Sequence, residues 1–221
     1  MAFAKGSYII CAGCNTQLDI LSDYSAIRIC DTCGLVNQKY KDADPLTVSK
    51  IPEDLSVIKT GSKGKANGSS FVVTGRFRIE IDSGYYNVWS IALGKTDELA
   101  WIIDSIGEYI VAYSKRYEAT AVKEISMWTA EVERNFSLPE LGSCMLVVAK
   151  KLIAGYMEGE IGTMPLVMTD ARVYDLRTTE GDIVFIIRTR DKELFYLQGR
   201  SIDWEEMELT GTRNIEIIGK G

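Results

Sequence analysis

Four of the five cysteines in this 221-residue chain form two pairs near its N-terminus, in the stretches CAGC and CDTC. Two intervening residues let both thiolates of a pair bind one metal ion from a single tight turn. Fifteen residues separate the pairs, which is the spacing of a zinc ribbon. Zinc prefers four tetrahedral ligands, and four thiolates suit a chain that has no histidine. We therefore predict one structural zinc ion bound by Cys11, Cys14, Cys30 and Cys33.

Four cysteines could also serve as redox pairs, disulfides or an iron site. A thioredoxin-like redox pair needs a βαβ context, which the flanking sequence does not have. Disulfides are rare in a reducing compartment. A rubredoxin-type iron site uses the same ligands, so the choice between zinc and iron stays open. Four thiolates leave no coordination position for water, so the metal is expected to be structural and not catalytic.

The residues around the cysteines predict their local structure. Gly34 follows the second pair and Asn15 the first, and both residue types tolerate the positive φ that a metal-binding turn requires. The segments QLDIL and AIRI flank SDYS, and we expect them to pair with each other as an antiparallel hairpin that brings the two turns together.

The rest of the chain predicts an all-β fold. Runs such as SSFVVTGRFRIEI, YYNVWSIAL and DIVFIIRT are rich in β-branched and aromatic residues and are bounded by Gly, Asp and Asn. Only KRYEATAVKEIS and SIDWEEM are expected to form short helices. A rubredoxin-like zinc ribbon would be followed by two similar β-barrel-like or β-sandwich subdomains.

Composition divides the chain into four parts. We predict a ribbon at residues 5–40, a linker with two prolines at 41–55, and β subdomains at 56–125 and 126–218. The segments that start at Gly68 and Gly142 match in character position by position, so they suggest an internal repeat in which a glycine turn opens a long strand.

Charge and hydropathy limit the partners. The formal net charge of -6 disfavours nonspecific binding to nucleic acid or anionic membranes. No apolar run approaches the roughly 20 residues that a membrane helix needs, and the N-terminus has no signal-peptide pattern. We expect a cytoplasmic protein that binds a protein partner, without membrane insertion and with nucleic acid unlikely as a ligand.

Several motifs resemble catalytic sites without their full pattern. Residues 61–68, GSKGKANG, lack phosphate-loop spacing and predict a hairpin turn. Cys144 lies in an apolar run and is expected to be a buried, inert thiol. Glu158 and Glu160 could form an acid–base pair, but the intervening Gly159 favours an exposed turn. We expect the acidic tail residues to be solvated and the tryptophans to be core residues: Asp203, Glu205, Glu206 and Glu208; Trp89, Trp101, Trp128 and Trp204.

Five motifs spread over residues 60–211 carry a family resemblance: TGSKGKANGSSFVVTGR, NVWSIAL, AWIIDSIGEYIVA, GYMEGEIG and LFYLQGRSI. They are similar to a bacterial family known as domain of unknown function 4178. The resemblance implies a β fold, no established activity and gene neighbourhoods linked to membrane stress. Some members also carry a four-cysteine ribbon. The family often has Glu where this chain has Val88.

Together these observations predict a non-enzymatic, cytoplasmic zinc-ribbon protein that works by binding or as a scaffold. Without histidine, the usual serine or cysteine triads are excluded. The alternative is a small-ligand-binding protein, or an enzyme based on carboxylates, with a cleft between the two β halves and with Glu158 and Glu160 as its acidic residues.

Overall fold

The computed structural model describes residues 4–39, 46–94, 99–105, 107–114, 132, 135–138, 142–163, 170–190 and 194–214. These residues are mostly β strand, and every pairing between strands is antiparallel. The predicted all-β class is confirmed. Within SIDWEEM a single 3-10 turn forms at Glu205–Met207, and KRYEATAVKEIS lies outside the described residues.

The strands fall into a ribbon group and a body group. The ribbon strands are β1 Tyr8–Ile10, β2 Gln17–Asp19, β3 Ile27–Ile29 and β4 Val36–Gln38. The body strands are β5 Lys63–Ala66, β6 Ser69–Ile81, β7 Gly84–Leu93, β8 Leu99–Ser105, β9 Glu108–Ser114, β10 Asn135–Leu138, β11 Gly142–Lys151, β12 Ala154–Ile161, β13 Arg172–Thr178, β14 Ile183–Arg188 and β15 Leu194–Ser201.

The body contains two antiparallel meanders in one sheet. Strands β6 to β9 form the first, β13 to β15 form the second, and β9 pairs with β15 where they meet. A long strand with a β-bulge lies at the outer side of each half: β6, the first strand of the first meander, has its bulge between Val73 and Gly75, and β11, which pairs with β13, has its bulge between Leu146 and Val148. Gly68 and Gly142 both have positive φ where these long strands begin. The two halves thus have similar strand orders.

A two-residue corner closes the sheet on itself. Strand β11 pairs with β13 at one end of the strand order, and β12 pairs with β6 at the other end. Only Leu152 and Ile153 separate β11 from β12. The N–H of Leu152 donates to Ala171 on the β13 side, and the N–H of Ile153 donates to Glu80 on the β6 side. The inward side chains of nearly every body strand therefore meet in one core.

The central strands are buried on both faces. Strands β7, β8 and β14 have almost no exposed position, because the closed core covers one face and separate apolar clusters cover the other. This burial explains why their sequences are nearly continuous apolar runs without a period of two. Trp89 and Trp101 are fully buried as predicted.

The ribbon strands pair differently from our expectation. QLDIL and AIRI supply β2 and β3, but β2 pairs with β1, and β3 pairs with β4 and β12. The predicted hairpin between them is wrong because each cysteine turn is itself a hairpin turn, so each turn pairs the two strands that flank it. The second edge of β3 is then occupied by the body.

The described part of the predicted linker, residues 46–55, packs against its neighbours. Leu35 bridges Thr47, and Ile51 is buried. Asp54 has a side chain with no exposed surface. Pro45 lies outside the described residues. The division of the chain at residues 40, 55 and 125 stays a prediction.

The remaining sequence predictions concern residues 61–68, the acidic tail, two tryptophans and membrane-spanning helices. Residues 61–68, predicted to form a hairpin turn, do so only in part: Lys63–Ala66 form β5, and Asn67 and Gly68, both with positive φ, form the turn of the β5–β6 hairpin. The acidic tail residues are exposed, as expected. Trp204 is partly exposed and packs on Tyr109, so its assignment to the core is wrong, and Trp128 lies outside the described residues. Over the described ranges, no helix is both long and apolar enough to cross a membrane.

Candidate metal centre

The four cysteines of the two pairs meet at one point between the ribbon hairpins. Their four sulfur atoms all lie within 4.8 Å of one another. The Sγ atoms of Cys11 and Cys33 are 3.6 Å apart, and those of Cys14 and Cys30 are 3.5 Å apart. These separations are far longer than a disulfide bond, and all four cysteines are free. The cluster could therefore hold a metal ion.

Two turns with the same hydrogen-bond pattern present the cysteines. In the first turn, the N–H of Cys11 donates to Thr16 and the N–H of Asn15 donates to Cys11. In the second, the N–H of Cys30 donates to Leu35 and the N–H of Gly34 donates to Cys30. Asn15 has φ 61° and Gly34 has φ 72°, as the sequence predicts. Each turn directs two thiols inward because its backbone reverses over five residues.

Asn37 joins the two turns beneath the cluster. Its side chain is buried, and its Oδ1 accepts the N–H of Ala12 at 3.3 Å. Its Nδ2 donates to the carbonyls of Arg28 and Leu35, both at 3.2 Å, and lies 3.9 Å from the sulfur of Cys11. Hydrogen bonds of this kind orient metal ligands and stabilise thiolate charge. No signal in the sequence marks Asn37, because an asparagine in a short strand has no characteristic spacing.

The pKa values of three of the thiols differ from that of a free cysteine. Burial opposes ionisation of Cys11, but the N–H groups of Gly13 and Cys14 and the neighbouring thiols lower its pKa to about 6. Hydrogen bonds from the side chain and backbone of Thr16 lower the pKa of Cys14. At Cys33 the N–H of Leu35 acts to lower the pKa, whereas burial and the other thiols together raise it to about 12. A bound cation would favour the thiolate at every position.

The cluster fits a tetrahedral ion by size and chemistry. Zinc–sulfur bonds of about 2.3 Å place tetrahedral sulfurs about 3.8 Å apart. The two measured separations are close to this value. Cys11 and Cys30 are buried, whereas Cys14 and Cys33 are only half-buried. The donor set is the one that zinc and iron both accept.

The second ribbon hairpin is attached to the body by β3. Arg28 pairs with Glu160 and Ile27 with Ile161 in the β3–β12 ladder, and the N–H of Ala26 donates to Ile161. Ala26, Ile27, Ile29 and Val36 all belong to the main body core. The first hairpin packs instead in a small separate cluster around the cysteines.

Glu160 fixes the loop between the hairpins. Its buried carboxylate accepts the N–H groups of Leu21 and Ser22 and the hydroxyl of Ser25 at 2.6 Å. Burial raises its pKa, while the bonds from Ser25, Leu21 and Ser22 and the charge of Arg28 oppose that rise. The carboxylate therefore connects the body directly to the loop between the two cysteine pairs.

The predicted exposed turn at residues 158–160 is wrong, because all three residues lie within β12. Gly159 has φ 72° inside the strand, where a side chain would meet the carbonyl of Thr74. A tight backbone approach, not a loop, requires this glycine. Glu158 and Glu160 line one cleft of about 440 Å³ between ribbon and body, together with Asp19, Leu21, Arg28, Asp31, Thr60 and Thr74.

No protein-family model, no curated protein and no solved structure matches this chain. Cys144, the fifth cysteine, is buried in a separate apolar cluster of the body, and its burial raises its pKa. An inert role for this thiol agrees with its surroundings.

Proposed function

We propose that the chain binds one structural zinc ion through Cys11, Cys14, Cys30 and Cys33 and works as a binding or scaffold protein without catalysis. The observation that carries the proposal is the meeting of four sulfur atoms within 4.8 Å of one another, presented by two turns with the same hydrogen-bond pattern. Zinc stabilises small modules that have too little core to fold alone. The cysteine cluster contains only five buried side chains among the described residues.

The wider assignment is part of the same proposal. Membership of the bacterial domain of unknown function 4178 family, a cytoplasmic location and a link to membrane stress rest on the sequence resemblance and composition given above. The non-enzymatic role is supported by a metal whose four thiolates leave no open position and by the absence of histidine from the sequence. A protein is the proposed partner.

Elemental analysis tests the metal. Protein purified without chelator is expected to contain about one zinc per chain, and Cys30→Ser is expected to abolish that content. Cys144→Ser is the matched control, because it changes the same atom in a buried strand remote from the cluster, and it should keep full metal content. Iron in place of zinc would correct the identity of the ion. Wild-type protein with neither metal would overturn the proposal.

A second candidate function is favoured by the cleft between ribbon and body. Its volume of about 440 Å³ lies within the range of small-ligand sites. The Glu160 carboxylate already binds the ribbon loop, whereas Glu158 uses Oε1 for Arg76 and is about one-third exposed. This arrangement favours binding of a small cationic group over acid–base catalysis, which needs two reachable carboxylates. Binding of such a compound that Glu158→Gln abolishes would support this candidate.

A further inference from the structure

Two arginines of β6 form a row on the outer face of the body. Arg76 and Arg78 alternate with inward Phe77 in the stretch RFR, so both point away from the closed core. Opposite them on β7 lie Trp89, paired with Arg76, and Asn87, paired with Arg78. Both arginines are nevertheless almost completely buried.

Aromatic rings hold both guanidinium groups in place. The guanidinium carbon of Arg76 lies 4.5 Å from the ring centre of Trp89, and that of Arg78 lies 4.0 Å from the ring centre of Tyr85. Arginine stacked on an aromatic ring keeps its planar fork of donors oriented for a carboxylate or phosphate. The row is therefore built as an anion-binding surface.

The chain itself provides the anion at this surface. Residues 51–56, which we call the strap, cross the outer face and insert Asp54. The Asp54 carboxylate binds Arg76, lies 3.2 Å from Arg78 and 3.4 Å from Arg213, and has no exposed surface. One carboxylate thus faces three guanidinium groups, while Glu158 and Glu80 each accept a bond from the far side of one arginine.

The site has more donors than the strap satisfies. At this site three buried donor atoms have no hydrogen-bond partner among the described residues: Nε of Arg78, Nδ2 of Asn87 and Nε1 of Trp89. Burial raises the pKa of Asp104, and the nearby side chains of Ser56, Trp89 and Asn87 oppose that rise. The donors of Trp89 and Asn87 nevertheless do not reach hydrogen-bond geometry. Buried donors without acceptors are costly, and a fuller set of acceptors would remove that cost.

Side chains, and not a backbone ladder, hold the strap. From residue 51 to 56 the described chain has no backbone–backbone hydrogen bond, whereas β6 to β8 are paired along their length. The strap is held by Asp54, by the carbonyl of Pro52 that accepts from Arg78, and by the hydroxyl of Ser56 that donates to Asp104. Because no backbone ladder has to break, the cost of opening the strap lies chiefly in its buried side-chain contacts, above all the ion pairs of Asp54.

We propose that this arginine row is a recognition site for an extended acidic peptide segment of a partner protein, and that the strap is its internal occupant. This inference rests on the binding role proposed above and names the chemistry of the partner. The strap sequence Ile-Pro-Glu-Asp-Leu-Ser is the template, since its aspartate already occupies the site. Because the tethered strap competes for the site, the apparent affinity for an external segment is the intrinsic affinity multiplied by the fraction of time that the site is open.

Release of the strap tests the site in the full-length chain. Asp54→Asn removes the charge that holds the strap. The probe is the fluorescently labelled hexapeptide with the strap sequence, and fluorescence anisotropy measures its binding. Asp54→Asn protein is expected to bind at least tenfold more tightly than wild type. The matched control Glu53→Gln removes one charge from the neighbouring exposed residue and should bind as wild type does.

Further arms separate recognition of the peptide from a nonspecific effect. A hexapeptide with Asn in place of Asp should bind weakly to Asp54→Asn protein, and added Arg76→Gln should abolish binding of the acidic peptide. Equal binding of both peptides, or equal binding by wild type and Asp54→Asn protein, would overturn the proposal. Inorganic phosphate that binds and displaces the peptide would instead assign the row to a free anion.

Hydrogen exchange of the wild-type protein tests the strap without any substitution, in case Asp54→Asn does not fold. The amide of Ser56 donates to Asp54 Oδ1 at 3.0 Å, so its exchange reports on the Asp54 contact. It is expected to exchange at least a hundredfold faster than the amides of β7 and β8. Exchange of the strap only by global unfolding would contradict a releasable occupant. Zinc content measured on the same samples keeps a failure of the metal proposal distinguishable from a failure of this one.

Discussion

The ribbon and the body are both built from antiparallel hairpins, but different forces stabilise them. Among the described residues, the body core joins twenty-three buried side chains, whereas the cysteine cluster of the ribbon joins five, and two of those are cysteines. Apolar burial of these five side chains contributes roughly 5–10 kcal/mol, which is less than the conformational entropy lost when the hairpin becomes ordered. Metal–thiolate bonds can provide the missing stability.

The boundary between these two kinds of stability runs through the ribbon itself. The first hairpin, β1–β2, packs on the cysteines, while the second, β3–β4, packs in the body core and pairs with β12. Sequence motifs define the ribbon as residues 5–40, but packing assigns its halves to different partners. The first hairpin should therefore respond to removal of the metal, whereas the second should respond to changes in the body.

Metal removal should have the largest effect and should be confined to the first hairpin. With a strong chelator, or with Cys11→Ser, we expect β1 and β2 to lose all amide protection, because structural zinc contributes roughly 10–16 kcal/mol in small zinc modules. Strand β3 should keep protection through its pairing with β12. Hydrogen exchange read by mass spectrometry measures both. Loss of protection throughout the body would show that ribbon and body fold as one cooperative unit.

Glu160→Gln should weaken the attachment of the ribbon. The substitution replaces one acceptor oxygen with an NH₂ group beside three donors, from Leu21, Ser22 and Ser25. The amide keeps one acceptor oxygen, so one or two of the three hydrogen bonds are lost. At about 1 kcal/mol for each bond, the free energy of unfolding should fall by about 1 to 2 kcal/mol in a urea titration. The exposed Glu206→Gln is the control and should change it by less than about 0.5 kcal/mol. A fall as small in Glu160→Gln as in the control would mean that the loop is not held by this carboxylate.

Asp175→Asn should change how the free energy of unfolding of the body depends on pH. Burial, aided by the charge of Glu108 and opposed by Arg177, raises the pKa of Asp175 to about 6. The folded state then binds the proton more tightly than the unfolded state, so stability is full below about pH 4 and falls as the pH rises through 6. The Asn variant should lose about 2 to 3 kcal/mol less than wild type between pH 4 and pH 7.

Urea titrations at several pH values measure this difference. Zinc release at low pH affects wild type and variant alike, so the difference between them isolates Asp175. The exposed Asp82→Asn serves as control and should follow the wild-type pH dependence. A variant that follows the wild-type curve would show that Asp175 titrates at the same pH in both states.

Local chemistry was predictable from the sequence, and long-range pairing was not. The cysteine spacing, with Asn15 and Gly34 behind it, determines the turns within five residues, so it could be predicted directly. The pairing of β3 with β12 depends on which sheet edge is open, and no pattern near Ile27 specifies a partner more than a hundred residues away. Gly159 suggested a turn. A glycine is also required where another backbone passes close to a strand, and the two situations look alike in the sequence.

The strap shows the same limit for charged segments. Residues 51–56 combine a proline with acidic residues, a composition typical of solvated linkers. What makes Asp54 a buried ligand is the alternation of Arg76 and Arg78 on a distant strand. A search for runs of basic residues misses that pair, whereas period-two spacing of arginines in an otherwise apolar strand could have indicated it.

The corner at Leu152 and Ile153 has a consequence for synthesis of the protein. Strand β5 pairs with the beginning of β6, but residues 75–80 of β6 must wait for β12, and β9 must wait for β15. The first meander therefore leaves the ribosome with these two edges unpaired. Unpaired edges and an uncovered apolar face make such nascent chains prone to aggregate. Closure depends on β15, the last strand of the body, so the cell must protect a half-built sheet until β15 has emerged.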